Sequence, residues 1–249
     1  MTASKLAGAA NVSESTVVRF AAELGYDGYP EMRLALQEMV RGRLTSVQRI
    51  KVSKDLIDPS DILTHVLTSD IEQIRYTMEK IDSASFSRAV DTIAGARNIY
   101  ILGLRSASFL ANFMGFYFSL LFSNSRVVNE NQTSEVFEQI VRLSDGDVLI
   151  AISFPRYSRR TIRAMQYARD VGAAIIAITD NSSSPLFGLA DIPLCAKSDM
   201  ISFVDTLVAP LSLVNALIVA VSEKAPGDIY ANFERLEKIW DEYGVYEQS

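Results

Sequence analysis

The chain has 249 residues, 49% of them apolar, so it can bury a full core and is long enough for one medium and one small domain. Its net charge of −6 excludes a polybasic nucleic-acid coat, and its single cysteine and single histidine exclude an intrachain disulfide and argue against a Cys/His zinc site. No signal peptide opens the chain and no apolar run reaches the roughly 20 residues that span a bilayer, so we expect a cytoplasmic protein with no membrane partner, metal or cofactor.

The start of the chain predicts a helix, a tight turn and a second helix. Apolar residues recur at near-helical spacing, with an interruption at Asn11 and Val12. Ser13 stands where a helix N-cap is needed, and Gly25 provides a stop for the second helix. Because proline suits a first helical turn, another helix is predicted from Pro30 to about Val40.

This pattern is typical of a helix-turn-helix, in which the second helix enters the major groove of DNA. Hydroxyl groups can bond base edges or phosphates, and arginine can reach a guanine or a phosphate. Residues 1–50 carry six Lys and Arg against five Asp and Glu, so the acidic excess lies in the rest of the chain. An ordinary capped helical hairpin is the alternative. The candidate DNA-binding residues are Ser13, Glu14, Ser15, Thr16 and Arg19.

The predicted domain organisation has three parts. A DNA-reading domain covers residues 1–45, and a linker with a connecting helix covers residues 46–80. The second domain covers residues 81–249. Apolar spacing predicts helices from Pro59 to about Lys80 and from Ser85 to Ala94.

From residue 98 onward, short apolar runs alternate with helical segments, which indicates a parallel sheet covered on both faces. We therefore predict an α/β fold, a doubly wound parallel sheet of five strands with flanking helices, preceded by the small all-α domain. The predicted strands are Asn98–Leu102, Arg126–Val128, Val148–Ile152, Ile175–Thr179 and Ile192–Leu194. The predicted helices are Ser106–Leu121, Glu135–Arg142, Ser158–Val171, Pro185–Ala190 and one from about Val204 to Glu223.

Three hydroxyl-rich loops follow the carboxyl ends of predicted strands, where open α/β sheets bind ligands. The first opens a helix, whose dipole and free N–H groups favour an anion; a serine-capped turn is the alternative. The second places three arginines beside a helix N-terminus, an unfavourable arrangement that an anionic ligand would relieve; a solvated basic loop is the alternative. The third loop, Thr179–Pro185, has the composition of an ordinary loop, and only its position after a strand makes it a candidate part of a binding site. The candidate effector-binding residues are Gly103, Arg105, Ser106, Ser108, Ser153, Arg156, Tyr157, Ser158 and Thr161.

With these residues identified, the chain resembles the RpiR family of bacterial transcription regulators, in which a helix-turn-helix is joined to a sugar isomerase (SIS) domain. The matching phrases are SESTVVRFAAELGYDGYPEMRLAL, ILGLRSAS, ISFPRYSRRT and AITDNSSSPL. The resemblance implies operator DNA binding by the first region, a sugar-phosphate effector bound by an SIS-type sheet, and a homodimer or homotetramer. It matches Ser106 and Ser108 to the first phosphate-binding turn, and it matches Ser153, Tyr157, Ser158 and Thr161 to the second.

The chain departs from the family pattern at two places. Many SIS domains have glycine where this sequence has Arg105. The family also has a helix before the helix pair, whereas this chain begins at Thr2 of the pair, so we expect Leu6, Val17 and Phe20 to lose part of their cover.

Two other functions fit the same residues. A sugar-phosphate isomerase needs a base near the C1–C2 protons, and Glu130, Glu135 and Asp205 are the carboxylates in position to act, although none has a histidine partner nearby. A scaffold that uses its α/β domain only for dimerisation is the other alternative, because fold does not settle function.

Overall fold

The computed structural model describes residues 2–33, 35–36, 44–54, 59–128, 135–224 and 229–246. The chain forms two compact units, Met1–Asp58 and Pro59–Ser249. The division lies within the predicted connecting segment 46–80, and the predicted connecting helix belongs to the second unit. Within the described residues, no helix has the length and apolarity to cross a membrane.

The first unit contains the predicted helix pair, α1 (Ala3–Ala10) and α2 (Glu14–Glu23). The turn between them forms because Asn11 adopts a left-handed conformation, at φ 54°, and ends α1. The Ser13 side chain then caps α2 by accepting a hydrogen bond from the Thr16 N–H at 3.2 Å. Gly25, at φ +87°, ends α2 as predicted. The small core of the unit is formed by Ala7, Val17, Ala21, Tyr29 and Met32.

Some expectations for this unit are only partly met. Phe20 is exposed and Leu6 is half-buried, as expected, but Val17 is buried because it packs in the core between α1 and α2. The helix predicted from Pro30 begins at residue 29, and its predicted end at residues 37–40 lies outside the described residues. Helix α3 (Ser46–Lys54) lies in the predicted linker and was not predicted, because its sequence lacks a clear apolar stripe.

The second unit begins with two helices followed by the sheet. A 3₁₀ turn (Pro59–Asp61) leads into α4 (Ile62–Lys80), and Asp82 caps α5 (Ser83–Ala94). The strands are β1 (Ile99–Gly103), β2 (Ser125–Val128), β3 (Val148–Ile152), β4 (Ala174–Thr179) and β5 (Ile192–Cys195). The helices after α5 are α6 (Ser108–Leu121), α7 (Val136–Ile140), α8 (Arg159–Asp170), α9 (Val208–Ser222) and α10 (Ile229–Glu242).

The five strands are parallel and are arranged in the order β2-β1-β3-β4-β5. One face of the sheet packs against α5, α6 and α9, and the other packs against α7 and α8. Apolar side chains therefore point to both faces of the central strands, which explains why β3 is fully buried. The predicted doubly wound α/β fold is confirmed.

Several predicted bounds were wrong. The helix predicted at Pro185–Ala190 is a single 3₁₀ turn (Phe187–Leu189). The helix predicted from Val204 begins at Val208, because the preceding segment forms a bridge between Met200 and Asp205. Helix α10 was not predicted.

Candidate functional site

The order of the strands defines where a ligand can enter the sheet. From β1 the chain runs to β2 on one side and then returns to β3 on the other side, so the topological switch point lies between β1 and β3. Gly103, at the end of β1, is paired with Ile152, at the end of β3. The loops that follow these two residues therefore begin side by side, and they carry the predicted effector-binding residues.

The loop after β1 (the β1 loop, residues 104–108) turns sharply at Arg105, which has φ 58°. This conformation is easy for glycine and strained for other residues, so Arg105 adopts a backbone suited to the glycine of many SIS domains. A 3₁₀ turn (Arg105–Ala107) then leads into α6, and the Ser108 hydroxyl donates to the Arg105 carbonyl at 2.5 Å. Ser106 is exposed, and its hydroxyl makes no hydrogen bond within the described part of the chain.

The loop after β3 (the β3 loop, residues 153–158) is held by a chain of serine hydroxyls. Ser153 is buried, and its hydroxyl accepts from the Ser158 N–H at 3.2 Å. The Ser158 hydroxyl in turn caps α8 by accepting from the Thr161 N–H at 3.4 Å. Arg156, like Arg105, has a positive φ, here 66°. Both loops at the switch point thus contain an arginine in a conformation that costs about 1–3 kcal/mol.

Thr161 carries a buried hydroxyl without a partner. The residue lies in the first turn of α8 and is 0% exposed, yet its Oγ1 has no hydrogen-bond partner within the described residues. Leaving such a group unsatisfied costs about 1–3 kcal/mol, and the group is available to a ligand that reaches it.

The loop after β4 also takes part in the site, through residues absent from the predicted site. The Tyr157 hydroxyl donates to Asp180 Oδ1 at 2.8 Å, and Asn181 Nδ2 donates to Asp180 Oδ2 at 2.7 Å. Thr179 and Ser184, both buried, join their hydroxyls at 2.7 Å. The position of this loop after the neighbouring strand was the only sequence signal for it, since its composition is that of an ordinary loop.

Gly103 serves packing. A Cβ at this position would lie 2.5 Å from the Ala107 carbonyl oxygen and 2.8 Å from the Ala111 Cβ. Gly103 is therefore required because the start of α6 crosses closely over the end of β1. The proximity of that helix start to the strand is what places Ser106 beside the switch point.

The charges near the two loops are mostly positive. Arg105, Arg156 and Arg159 are exposed, and Arg159 lies in the first turn of α8, where the helix dipole is already positive. Arg160, also in that turn, pairs with Glu135 at 3.6 Å, with both side chains half exposed. An exposed pair of this kind contributes little stability, so the positive field over the loops remains.

The single cysteine lies next to this edge of the sheet. Cys195, in β5, is paired with Thr179 in β4. Burial and the nearby Asp180 raise the pKa of the Cys195 thiol to about 11, so the thiol is protonated at neutral pH.

Four of the candidate DNA-binding residues, Ser13 to Thr16, lie together at the start of α2, and Arg19 lies in its second turn. The Ser13 hydroxyl is 2.8 Å from both the Ser15 and the Thr16 hydroxyl. Glu14 and Arg19 are exposed on the same helix, and Arg19 makes no hydrogen bond or ion pair with the residues that the structure describes. This arrangement leaves the Arg19 guanidinium available to DNA.

Comparison with known proteins agrees with both units. The model of the helix-turn-helix domain of the rpiR family matches residues 1–41, and the SIS domain model matches residues 92–220, more than half of the chain. The chain belongs to the RpiR family.

Relatives of this RpiR-family protein are transcriptional regulators. The HTH-type transcriptional regulator HexR of Pseudomonas aeruginosa is 25% identical over 241 residues, which cover 94% of this chain and 81% of HexR. An uncharacterized HTH-type regulator of Clostridium perfringens is 26% identical over 188 residues, or 75% of this chain and 66% of that protein.

Among solved structures, the sugar isomerase domain of the RpiR transcription factor from Sphaerobacter thermophilus is similar, with a TM-score of 0.67 and 25% identity, over 72% of this chain and 99% of that one. The Vibrio vulnificus NanR protein complexed with ManNAc-6P has a TM-score of 0.64 and 21% identity, over 100% of this chain and 88% of that one.

Proposed function

We propose that this RpiR-family regulator binds a phosphorylated sugar between the β1 loop and the β3 loop, and that the bound sugar changes the affinity of α2 for operator DNA. The observation that carries the proposal is the convergence of two helix starts, three exposed arginines and several hydroxyl groups on the switch point of the sheet. Each helix start favours an anion through its free N–H groups and its dipole.

The sugar-phosphate effector has two chemically different ends, and the site offers groups for each. Ser106, Ser108 and Ser158 lie at the helix starts and would hold the phosphate, with Arg105 and Arg156 as counter-charges. The Tyr157–Asp180 pair joins the β3 loop to the loop after β4. It would bond sugar hydroxyls, because a carboxylate accepts hydrogen bonds and a phenol can both donate and accept them.

The edge of the sheet that carries the site is connected to α4, the first α-helix of the second unit, through the chain segment that follows β5. The segment after β5 is bonded to α4 by the Lys197 N–H, which donates to Thr77 Oγ1 at 2.9 Å. The Asp199 N–H donates to Gln73 Oε1 at 2.8 Å. We infer that the effector acts by favouring one of two arrangements of this segment, since a ligand shifts an equilibrium only by its difference in affinity for the two states.

We further propose that the protein is a regulator without catalytic turnover, that it acts in the bacterial cytoplasm, and that it assembles as a homodimer or homotetramer. Of the carboxylates that an isomerase reaction could use, Glu135 is exposed and paired with Arg160. Asp205 lies before α9, where its backbone forms a bridge with Met200. Glu130 lies outside the described residues. Turnover of any sugar phosphate by the purified protein would overturn this part of the proposal.

The first test is a thermal-shift screen with hexose, pentose and amino-sugar phosphates, with the unphosphorylated sugars and inorganic phosphate as references. A ligand at 100 times its Kd stabilises the native state by about 2.7 kcal/mol. We expect a selective shift with one sugar phosphate, and we expect Ser106→Ala and Ser153→Ala to reduce it. Ser119→Ala is the control, because Ser119 is exposed on α6 and its hydroxyl bonds only the Phe116 carbonyl among the described residues.

The second test measures DNA affinity with and without the selected sugar phosphate. A change in affinity that Ser106→Ala abolishes supports the proposal. Absence of any thermal shift, or an unchanged DNA affinity, would instead favour the scaffold function.

A further inference from the structure

Helix α4 exposes the side that its hydrophobicity would be expected to bury. Its two buried residues are Gln73 and Thr77. Leu63 and Met78, by contrast, are 73% and 70% exposed. A helix at the surface of a single domain normally turns its apolar stripe to the core, so the outward stripe of α4 calls for another surface to cover it.

Polar contacts fix this orientation. The backbone amides of Lys197 and Asp199 donate to Thr77 Oγ1 and Gln73 Oε1, both on the inward side of α4. Rotating the helix to bury its apolar side would leave these buried groups without partners, at a cost of about 1–3 kcal/mol each. The outward apolar side is therefore a stable property of the fold.

The exposed apolar residues form a regular stripe, which we name the α4 stripe. Its members are spaced by four and three residues in alternation, the spacing of helices that pack along one another. The stripe continues into an apolar cavity of about 360 Å³ between α4, α5 and α9, lined in part by Phe86 and Leu213. The α4 stripe consists of Leu67, Ile71, Ile74 and Met78.

Helix α10, together with Tyr243 directly after it, carries a stripe with the same spacing. Phe233, Leu236, Trp240 and Tyr243 follow one another at intervals of three, four and three residues. Tyr243 is 73% exposed, and Phe233, Leu236 and Trp240 are half-buried. Within the described part of the second unit, no other element makes an extensive contact with α10. The molecule therefore has two apolar surfaces of matching period, and neither is fully covered within the described residues.

We infer that α10 of a second copy lies along the α4 stripe and fills the adjoining cavity, and that the contact is reciprocal. This inference rests on the assembly part of the proposed function and names its surface. An amphipathic helix in an apolar groove is a common mode of recognition, and this chain carries both the helix and the groove. The 14 residues of α10 extend about 21 Å, which fits along the 19 residues of α4, about 28 Å.

The area of this contact is sufficient for a dimer. A helix about 21 Å long and about 10 Å in diameter has a lateral surface, taken as that of a cylinder, of roughly 660 Å². About a third to a half of this surface can face a partner. Two copies of the contact, each with two faces, then bury on the order of 1,000 Å², the lower bound for a specific interface.

Cysteine crosslinking tests which copy supplies α10. Ile71→Cys and Leu236→Cys are made in separate chains that also carry Cys195→Ser, and the two chains are co-expressed with different tags. On mild oxidation we expect a covalent dimer that contains both tags, and none from either variant expressed alone. Crosslinking of one variant with itself would overturn the inference, as would an intrachain crosslink in a chain that carries both cysteines.

Light scattering on the purified chains, without DNA or sugar phosphate, provides the second measurement. We expect Leu67→Asp and Leu236→Asp to halve the molar mass at unchanged circular dichroism. Glu72→Lys and Glu237→Lys, exposed on the same two helices, should leave it unchanged. If the wild-type chain assembles and both aspartate variants assemble equally, the inference is wrong and the assembly stands. A monomeric wild-type chain would overturn both the inferred contact and the proposed assembly. The sugar-phosphate and DNA parts of the proposed function would still be decided by the thermal-shift and DNA-affinity tests.

Discussion

At the scale of single residues, a substitution at Thr161 can distinguish a role in effector binding from a role in stability. Its hydroxyl is buried and has no partner among the described residues, so Thr161→Val should leave the free energy of unfolding unchanged or raise it by up to about 1 kcal/mol. If the hydroxyl donates to the effector, sugar-phosphate affinity should fall about tenfold, which corresponds to about 1.4 kcal/mol. Calorimetric titration and urea unfolding measure the two effects. Thr161→Ser is the control, since it keeps the hydroxyl and should keep the affinity.

Asp147 determines how the second unit responds to acid. Burial raises the pKa of this carboxyl, but hydrogen bonds from Arg97 Nε at 3.0 Å, Asn98 Nδ2 at 2.8 Å and the Ser144 N–H outweigh burial, so the pKa lies below its ordinary value of 3.8. Because the folded pKa is the lower one, the stabilisation is complete above the unfolded pKa and is lost as the pH falls through the folded pKa.

Asp147→Asn should accordingly lower the free energy of unfolding by about 1–3 kcal/mol at neutral pH, and the difference should shrink below about pH 4. Urea unfolding at several pH values measures it. Asp145→Asn, an exposed change in the same turn, should have little effect at any pH. An equal loss of stability at neutral and acid pH would show that the Asp147 contacts act through shape and not through charge.

At the scale of elements, α2 shows how one cap can serve both folding and recognition. Ser13→Ala removes the acceptor for the Thr16 N–H and should destabilise the first unit by about 1 kcal/mol. Ser13→Asp keeps a cap of similar strength but adds a negative charge at the helix start that should face DNA phosphates. We expect both variants to bind mixed-sequence duplex DNA more weakly at low salt, but only Ser13→Ala to unfold at a lower temperature. Unchanged DNA binding by Ser13→Asp would place the DNA surface elsewhere.

At the scale of the whole molecule, the two sites must be linked reciprocally. If a sugar phosphate changes DNA affinity by some factor, DNA must change sugar-phosphate affinity by the same factor. The double variant Ser106→Ala with Ser153→Ala should lose both effects while its DNA affinity without effector stays that of the wild type. Anisotropy of labelled DNA and calorimetric titration measure the two directions, and unequal factors would contradict a two-state coupling.

The central sheet could be predicted from the sequence because its signal is local. Five short apolar runs between helical segments gave five strands with bounds within about one residue, and β3 was predicted at its observed ends, Val148–Ile152. Elements whose signal is not local were missed. Helix α10 was not predicted, and the segment before Val208 was assigned to a helix although the Met200–Asp205 bridge holds it in another conformation.

The candidate site was predictable to the level of its two loops and no further. Hydroxyls and arginines after β1 and β3 identified the edge of the sheet where they lie. The sequence did not show that Tyr157 bonds Asp180, because residues 23 positions apart meet only after β3 and β4 pair. Nor did it show that Gly103 is required by Ala107 and Ala111, since that contact depends on how closely α6 crosses β1.

By itself, the sequence determined the class of the protein: a capped helix pair, then strands and helices in alternation, with anion-binding residue types after the strands. These features depend on neighbours within a few positions of the chain, where capping, periodicity and turn preference act. Only the tertiary structure decided which loops meet, that the Thr161 hydroxyl has no partner among the described residues, and which side of α4 faces outward. Those outcomes depend on strand order and on contacts between residues more than 100 positions apart, such as Thr77 with Lys197.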